Sequence, residues 1–154
     1  VLRRLLEAAG EDPALADPAF AVVFAARQRV GLYPDAAKAL DRLAARVPLL
    51  AVTNGNADLE LTGVARWFAG CVSARAVGVG KPHPRVFDVA CARLGLPPAD
   101  VLHAGDDLDA DVQGALAAGL QAVWVRRDLP GDVPGGALGV RDLTALADLV
   151  EHAG

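Results

Sequence analysis

Apolar positions in the first thirty residues recur with helical spacing, with Leu2, Leu5, Leu6 and Ala9 falling on one stripe. Gly10, Pro13 and Pro18 interrupt that pattern, and no run in this stretch reads as a strand. From Gly31 the pattern changes to short apolar runs alternating with amphipathic stretches. A helix is predicted over residues 34–45, with Pro34 in its first turn and Ala36, Leu40 and Leu43 on its apolar side. The continuous run Leu49-Leu50-Ala51-Val52 is expected of a strand buried on both faces. A helix is predicted over 57–68, a short strand at Cys71-Val72, a glycine-bounded loop at Gly78-Val79-Gly80, and a helix over 85–94. Gly95 and Pro97-Pro98 then lead to a strand over 101–104, an acidic turn, a small-residue helix over 112–119 and a buried strand over 121–125. Residues 126–138 read as a Pro/Gly-rich loop and 142–152 as a closing helix. Strands alternating with helices predict an α/β fold with a doubly wound, Rossmann-like parallel sheet.

A chain of 154 residues suits one ordinary domain, or one domain with an appendage. With 53% hydrophobic and 22% charged residues it can bury a substantial core, which excludes a disordered chain. The net charge of −4 argues against nucleic acid or an acidic membrane surface as partner, since both call for a basic face. No apolar run approaches a membrane span, and the N-terminal stretch lacks the layout of a signal peptide. Cys71 and Cys91 show no metal-binding or disulfide spacing and read as small buried hydrophobes in a reducing compartment, so the cytoplasm is expected. Tyr33, Trp67 and Trp124 read as core or interface residues, because no basic surface accompanies them as it would in a base-stacking platform. The chain lacks methionine and starts at Val1 already inside a helical pattern, so it is expected to begin partway into a longer protein.

The acidic turn changes this picture most. In Gly105-Asp106-Asp107-Leu108-Asp109-Ala110-Asp111, four carboxylates occupy six positions at a strand-to-helix junction. They repel one another, which costs stability unless a cation sits among them. Hard oxygen ligands of this kind suit Mg²⁺, which takes one or two protein carboxylates and leaves room for phosphate. The same letters also serve as a solvated helix cap. A second cluster, Val52-Thr53-Asn54-Gly55-Asn56, follows a predicted strand, where a hydroxyl and free amides can hold phosphate oxygens or simply cap a helix. A third, Gly78-Val79-Gly80-Lys81-Pro82-His83-Pro84, delivers Lys81 from a loop stiffened by prolines. An ammonium there would neutralise a phosphoryl group, although most loop lysines are merely solvated. His83 reads as a cap or loop residue. Ligands of doubly wound sheets bind at the carboxyl ends of the strands, and all three clusters fall there.

Thr53, Lys81 and Asp106 follow one another at intervals of 28 and 25 residues. In that order the chain resembles the haloacid dehalogenase-like hydrolase superfamily over roughly residues 31–150. Val52-Thr53-Asn54-Gly55 is similar to that family's second motif, Gly80-Lys81-Pro82-His83-Pro84 to its third, and Gly105-Asp106-Asp107 with Asp111 to its fourth. His103-Ala104-Gly105-Asp106-Asp107 and Gln121-Ala122-Val123-Trp124-Val125 resemble, more narrowly, bacterial members that dephosphorylate flavin-pathway intermediates. The resemblance implies a Mg²⁺-dependent phosphatase of small phosphorylated metabolites, in which an aspartate forms an aspartyl-phosphate that water hydrolyses. It implies that Thr53 and the Asn54 backbone amide bind phosphoryl oxygens and that Lys81 offsets charge. Asp106 would ligate Mg²⁺, Asp111 would ligate through water or orient Lys81, and Asp107 would stand behind them.

The family's first motif, Asp-x-Asp on the central strand, has no counterpart here. Asp12, Asp17, Asp35 and Asp41 precede Thr53, yet none follows a buried strand, and Asp107-Leu108-Asp109 already belongs to the fourth motif. Residues 1–30 therefore resemble the end of the family's helical cap and 31–154 an incomplete core that lacks its central strand. The expectation is a phosphatase whose nucleophile comes from a segment outside this sequence, the 154 residues alone being inactive. A non-catalytic module that binds a phosphate ligand or a partner is the alternative. Halide displacement is disfavoured because it has no use for an acidic metal cluster. A phospho-receiver domain would place its acids first and its lysine last, the reverse of this order.

Overall fold

The computed structural model describes residues 1–127 and 132–153. Its sheet is in two pieces. Strand β1 (Ala51–Thr53) pairs in parallel with β2 (Cys71–Ser73), with Thr53 opposite Ser73. Strand β3 (Leu102–Gly105) pairs in parallel with β4 (Gln121–Val125), and β4 with β5 (Ala137–Val140). Among the described residues β1 and β3 share no ladder, so each has one unpaired edge. An α/β fold with the central position of its parallel sheet vacant is what the sequence predicts.

Helices cover both faces of the sheet, as continuous apolar strands require. Residues of β4 alternate between two cores. Ala122 and Trp124 pack with Phe87 and Cys91 of α5 (Pro84–Leu94) and with Val112, Ala115 and Leu120. Val123 faces the other way, against Ala39 and Leu43 of α3 (Ala36–Ala44) and Leu146 and Ala147 of α7 (Leu143–His152). Arg42 ties α3 to α7 through Glu151 and Asp148, both at 2.6 Å from Nη2. On the β1–β2 side, Val72 packs with Val86 and Ala90. Helix α5 thus contributes alternate faces to both halves. It starts with Pro84 behind the His83 cap, whose Nδ1 accepts from the Arg85 N–H at 3.2 Å, and stops at Gly95 with φ +67°. His83 is a cap, as the sequence indicates.

The N-terminal stretch forms α1 (Leu2–Ala9) and α2 (Ala16–Arg27), joined through a short 3₁₀ turn at Pro13–Leu15. Pro18 sits in the first turn of α2, where its missing N–H costs nothing. Leu2, Leu5, Phe20, Val22 and Val23 remain exposed. At the end of α2, buried Gln28 donates from Nε2 to the Phe24 carbonyl and accepts from the Asp58 N–H at 2.8 Å through Oε1.

Three expectations need correction. Residues 57–68 do not form a helix. The Asp58 carboxylate accepts from the Glu60 and Leu61 amides, Gly63 turns the chain at φ +75°, and only a 3₁₀ turn at Ala65–Trp67 follows. Local side-chain acceptors offered the backbone an alternative to the helical ladder. Ala74–Val77 is a one-turn helix, α4, capped by Ser73 where the sequence reads only a strand end and a loop. The stretch read as a loop to residue 138 contains the start of β5; residues 128–131 of that reading lie outside the described residues. Among the described residues no helix is long and apolar enough to cross a membrane.

Candidate active site

The carboxyl ends of β1 and β3 carry the polar cluster. Beyond β3 the chain turns at Asp107, whose Oδ1 accepts from the Asp109 and Ala110 amides at 3.0 and 2.8 Å. A single π-helical turn, Leu108–Gln113, follows and runs into α6 (Gly114–Ala117). The Asp107 carbonyl accepts from the N–H groups of both Asp111 and Val112, and Asp111 Oδ2 accepts from the Asp107 N–H at 3.2 Å. This reciprocal cap satisfies amides that the first turn would leave orphaned. It also aims Asp111 back over the strand end. The aim requires Gly105, because a Cβ there would lie 2.2 Å from Asp111 Cγ.

Asp111 is 4% exposed and has three donors. Its Oδ1 accepts from the Lys81 ammonium and from His103 Nε2 at 2.9 Å, and its Oδ2 from the Asp107 amide. An ionised carboxylate can only accept, so Nε2 of His103 carries the proton. Burial pushes the Asp111 pKa up, but the bonds from His103 and Lys81 and the lysine charge outweigh it. The carboxyl is held well below the usual range. His103 is fixed on its other side by an edge-to-face contact with Phe87, ring centroids 5.2 Å apart.

Lys81 comes from the loop after α4, and its peptide bond to Pro82 is cis. Its Nζ donates both to Asp111 and to the Val52 carbonyl of β1, at 3.1 Å for the latter. One ammonium therefore bridges the two halves of the sheet. The Asn54 side chain holds the main chain of Lys81: Oδ1 accepts from the Lys81 N–H at 2.7 Å and Nδ2 donates to the Lys81 carbonyl at 2.9 Å. Thr53 ends β1, and its Oγ1 accepts from the Gly55 N–H at 2.9 Å.

Thr53, Asn54, Lys81 and Asp111 thus meet at one place. Asp106 stands at the end of β3 with its side chain exposed and no partner for it among the described residues. Its carbonyl accepts from Trp124 Nε1 at 3.0 Å, which pins the strand end. Asp107 has one oxygen engaged in the cap. Of the four carboxylates of the turn, Asp111 and Asp107 accept from separate donors, while Asp106 and Asp109 are exposed. Among the described residues no three His, Cys, Asp or Glu side chains converge as a ready metal cage. Hard oxygens on Asp106 nevertheless suit Mg²⁺, which uses few protein ligands and keeps waters and substrate oxygens. Both Asp111 oxygens already accept N–H groups, which suits Asp111 to orienting Lys81.

Sequence reasoning missed His103, the Trp124 N–H and the Asn54 side chain as members of this network. The aspartates before Thr53 all serve the scaffold. Asp12 caps Ala14, Asp17 pairs with Arg3, Asp35 with Arg127, and Asp41 accepts from Trp67 Nε1. Among the described residues none stands at a strand end as a nucleophile would.

A family model of haloacid dehalogenase-like hydrolases matches residues 1–119. The chain is 39% identical over 100 residues to 5-amino-6-(5-phospho-D-ribitylamino)uracil phosphatase of Escherichia coli (strain K12), covering 65% of this chain and 42% of that protein. It is 37% identical over 140 residues to phosphoserine phosphatase of Thermus thermophilus, covering 87% of this chain and 56% of that protein. In structure it resembles the 2-haloacid dehalogenase from Pseudomonas syringae pv. Tomato DC3000. The TM-score is 0.90 at 31% identity, over 99% of this chain and 69% of that one. The chain spans about half the length of these two curated relatives.

Proposed function

This chain belongs to the haloacid dehalogenase-like hydrolases, and from that premise we propose that it is part of a Mg²⁺-dependent phosphatase acting on a small phosphorylated metabolite. One observation carries the reading. The Lys81 ammonium is held between the Val52 carbonyl of β1 and buried Asp111, which the turn beyond β3 returns over the strand end, and the same turn begins with the exposed Asp106. A phosphoryl group needs a fixed positive charge and a hard-cation ligand side by side.

In this reading residues 1–30 are the end of a helical cap and 31–154 the core. A parallel strand between β1 and β3, from a segment outside this sequence, would close the sheet and bring the nucleophilic aspartate. Thr53 Oγ1–H and the Asn54 amide would bind phosphoryl oxygens. A carboxylate oxygen of that aspartate would bond to phosphorus as the bond to the substrate's oxygen breaks. The leaving alcohol would take its proton from the second aspartate of the same outside motif, which takes a proton back from the water of the next step. Water then attacks the same phosphorus, releasing phosphate and restoring the carboxylate. Lys81 offsets the negative charge gathered by both steps, and Asp111, locked by His103, keeps the ammonium aimed. Mg²⁺ held at Asp106 would supply further charge neutralisation at the phosphoryl oxygens. The two free thiols support a reducing compartment, and we place the protein in the cytoplasm. The E. coli relative's name supports a phosphorylated ribitylamino compound as one candidate substrate, beside sugar phosphates and small phosphorylated acids.

The natural protein, assayed with p-nitrophenyl phosphate and Mg²⁺, is expected to release phosphate. Asp106→Asn is expected to abolish release while circular dichroism stays unchanged. The structural likeness to a dehalogenase makes halide displacement the second reading. Chloride release from 2-chloropropionate without phosphate release would overturn the proposal, as would full activity in the Asp106→Asn protein.

A further inference from the structure

We infer that the side chain of Asn54 is the positioning residue for Lys81, a clamp on its peptide that decides where the ammonium is delivered. The inference deepens the phosphatase reading and rests on it for its catalytic meaning. Neither resemblance nor spacing assigns the Asn54 side chain a task, only its backbone amide.

The argument is geometric. A lysine side chain has four rotatable carbons between its charge and its backbone, so fixing the ammonium alone leaves the stem free to wander. Here both ends are fixed. Asn54 accepts from the Lys81 N–H and donates to the Lys81 carbonyl, and so presents one amide to another as a neighbouring strand would. The head meets Val52 and Asp111. Asn54 lies two residues beyond Val52, so one short segment holds both ends of Lys81. The loop is built around this approach, since a Cβ on Gly80 would lie 2.7 Å from Asn54 Oδ1. Gly80 does not have a positive φ, so its small size, and not its backbone freedom, is what the clamp uses. Aspartate at position 54 would keep the acceptor for the Lys81 N–H and lose the donor to its carbonyl, whereas alanine would lose both.

The test uses the natural protein and its Asn54→Ala, Asn54→Asp and Gly80→Ala variants. Amide hydrogen exchange is followed at Lys81, and the Lys81 ammonium resonance is followed by ¹⁵N NMR. In Asn54→Ala the Lys81 amide is expected to exchange about tenfold faster. The amides of Ala122 and Val123 in β4 should be unaffected, which reports an intact fold. Asn54→Asp should keep most of the amide protection, and Gly80→Ala should lose it with Asn54 still present. The ammonium resonance should shift or broaden in Asn54→Ala and Gly80→Ala. Unchanged Lys81 exchange, or an unmoved ammonium resonance, in Asn54→Ala would overturn the clamp. Turnover of p-nitrophenyl phosphate separates this inference from the reading beneath it. A fall in kcat of roughly 10- to 100-fold with little change in KM is expected in Asn54→Ala. An unsubstituted protein with no turnover would sink the phosphatase reading while the two NMR signatures still judge the clamp. An unchanged kcat in Asn54→Ala would refute the positioning role.

Discussion

His103 and Lys81 donate to the same oxygen of a carboxylate that is 4% exposed, so loss of either leaves charge buried with fewer partners. His103→Leu is expected to destabilise the protein by about 1–3 kcal/mol, the cost of an under-satisfied buried acceptor. His103→Gln keeps an N–H donor and should recover part of that loss. Urea midpoints of the two variants check this, and equal destabilisation would mean that packing on Phe87 and not the bond to Asp111 is at stake. Thr53 and Asp106 stand out in the sequence as polar letters at the end of apolar runs, Lys81 by its glycine- and proline-flanked loop and Asp111 by the acidic turn. His103 does not, because it lies inside an apolar run and reads as one face of a strand. Only the π-helical turn, which returns Asp111 over Gly105, brings the two side chains together across eight residues of chain.

Asp35 joins three elements: its carboxylate pairs with both Arg127 nitrogens just beyond β4 and accepts from the Leu143 N–H at the start of α7. The Arg127 guanidinium, itself stacked 3.9 Å over the Tyr33 ring, holds the Asp35 carboxyl below its ordinary value against the opposing effect of burial. A carboxyl depressed by folding stabilises fully above its unfolded pKa, near 4. That contribution is lost as pH falls through the lower folded value. Asp35→Asn should therefore lower Tm near neutral pH, and the gap to the parent protein should narrow as pH drops below about 4. A gap constant across that range would remove charge as the cause. Elements with strong periodicity or clean caps, such as α5, β4 and α7, were readable from the chain. Residues 57–68 were not, because Asp58 and Gly63 impose turns that outweigh the helical spacing of their apolar neighbours. Strand β5 was hidden by glycines that read as loop and are accommodated by close approach, as at Gly139 against Val133.

For the whole molecule, the division of the described strands into two ladders sets a gradient of protection. Strand β4 is paired on both edges and packed on both faces, whereas β1 and β3 are paired on one edge each. Hydrogen exchange should be slowest in β4 and clearly faster at those β1 and β3 amides that β2 and β4 do not pair. Uniformly slow exchange in β1 would mean that something closes the sheet. The sequence predicts a parallel sheet without its central strand because strand candidates begin only at Leu49 and no Asp-x-Asp precedes them. The contact of Gln28 with Asp58, in contrast, could not be read from any local pattern.

That contact has a mechanical meaning. Gln28 ends α2 and holds the amide of Asp58, four residues beyond Asn54 on the same loop. The N-terminal helices and the strand-end loop therefore share a hydrogen-bonded tether at Asp58. Breaking that one bond would free the Asp58 amide and remove a fixed point from the loop that carries Thr53 and Asn54.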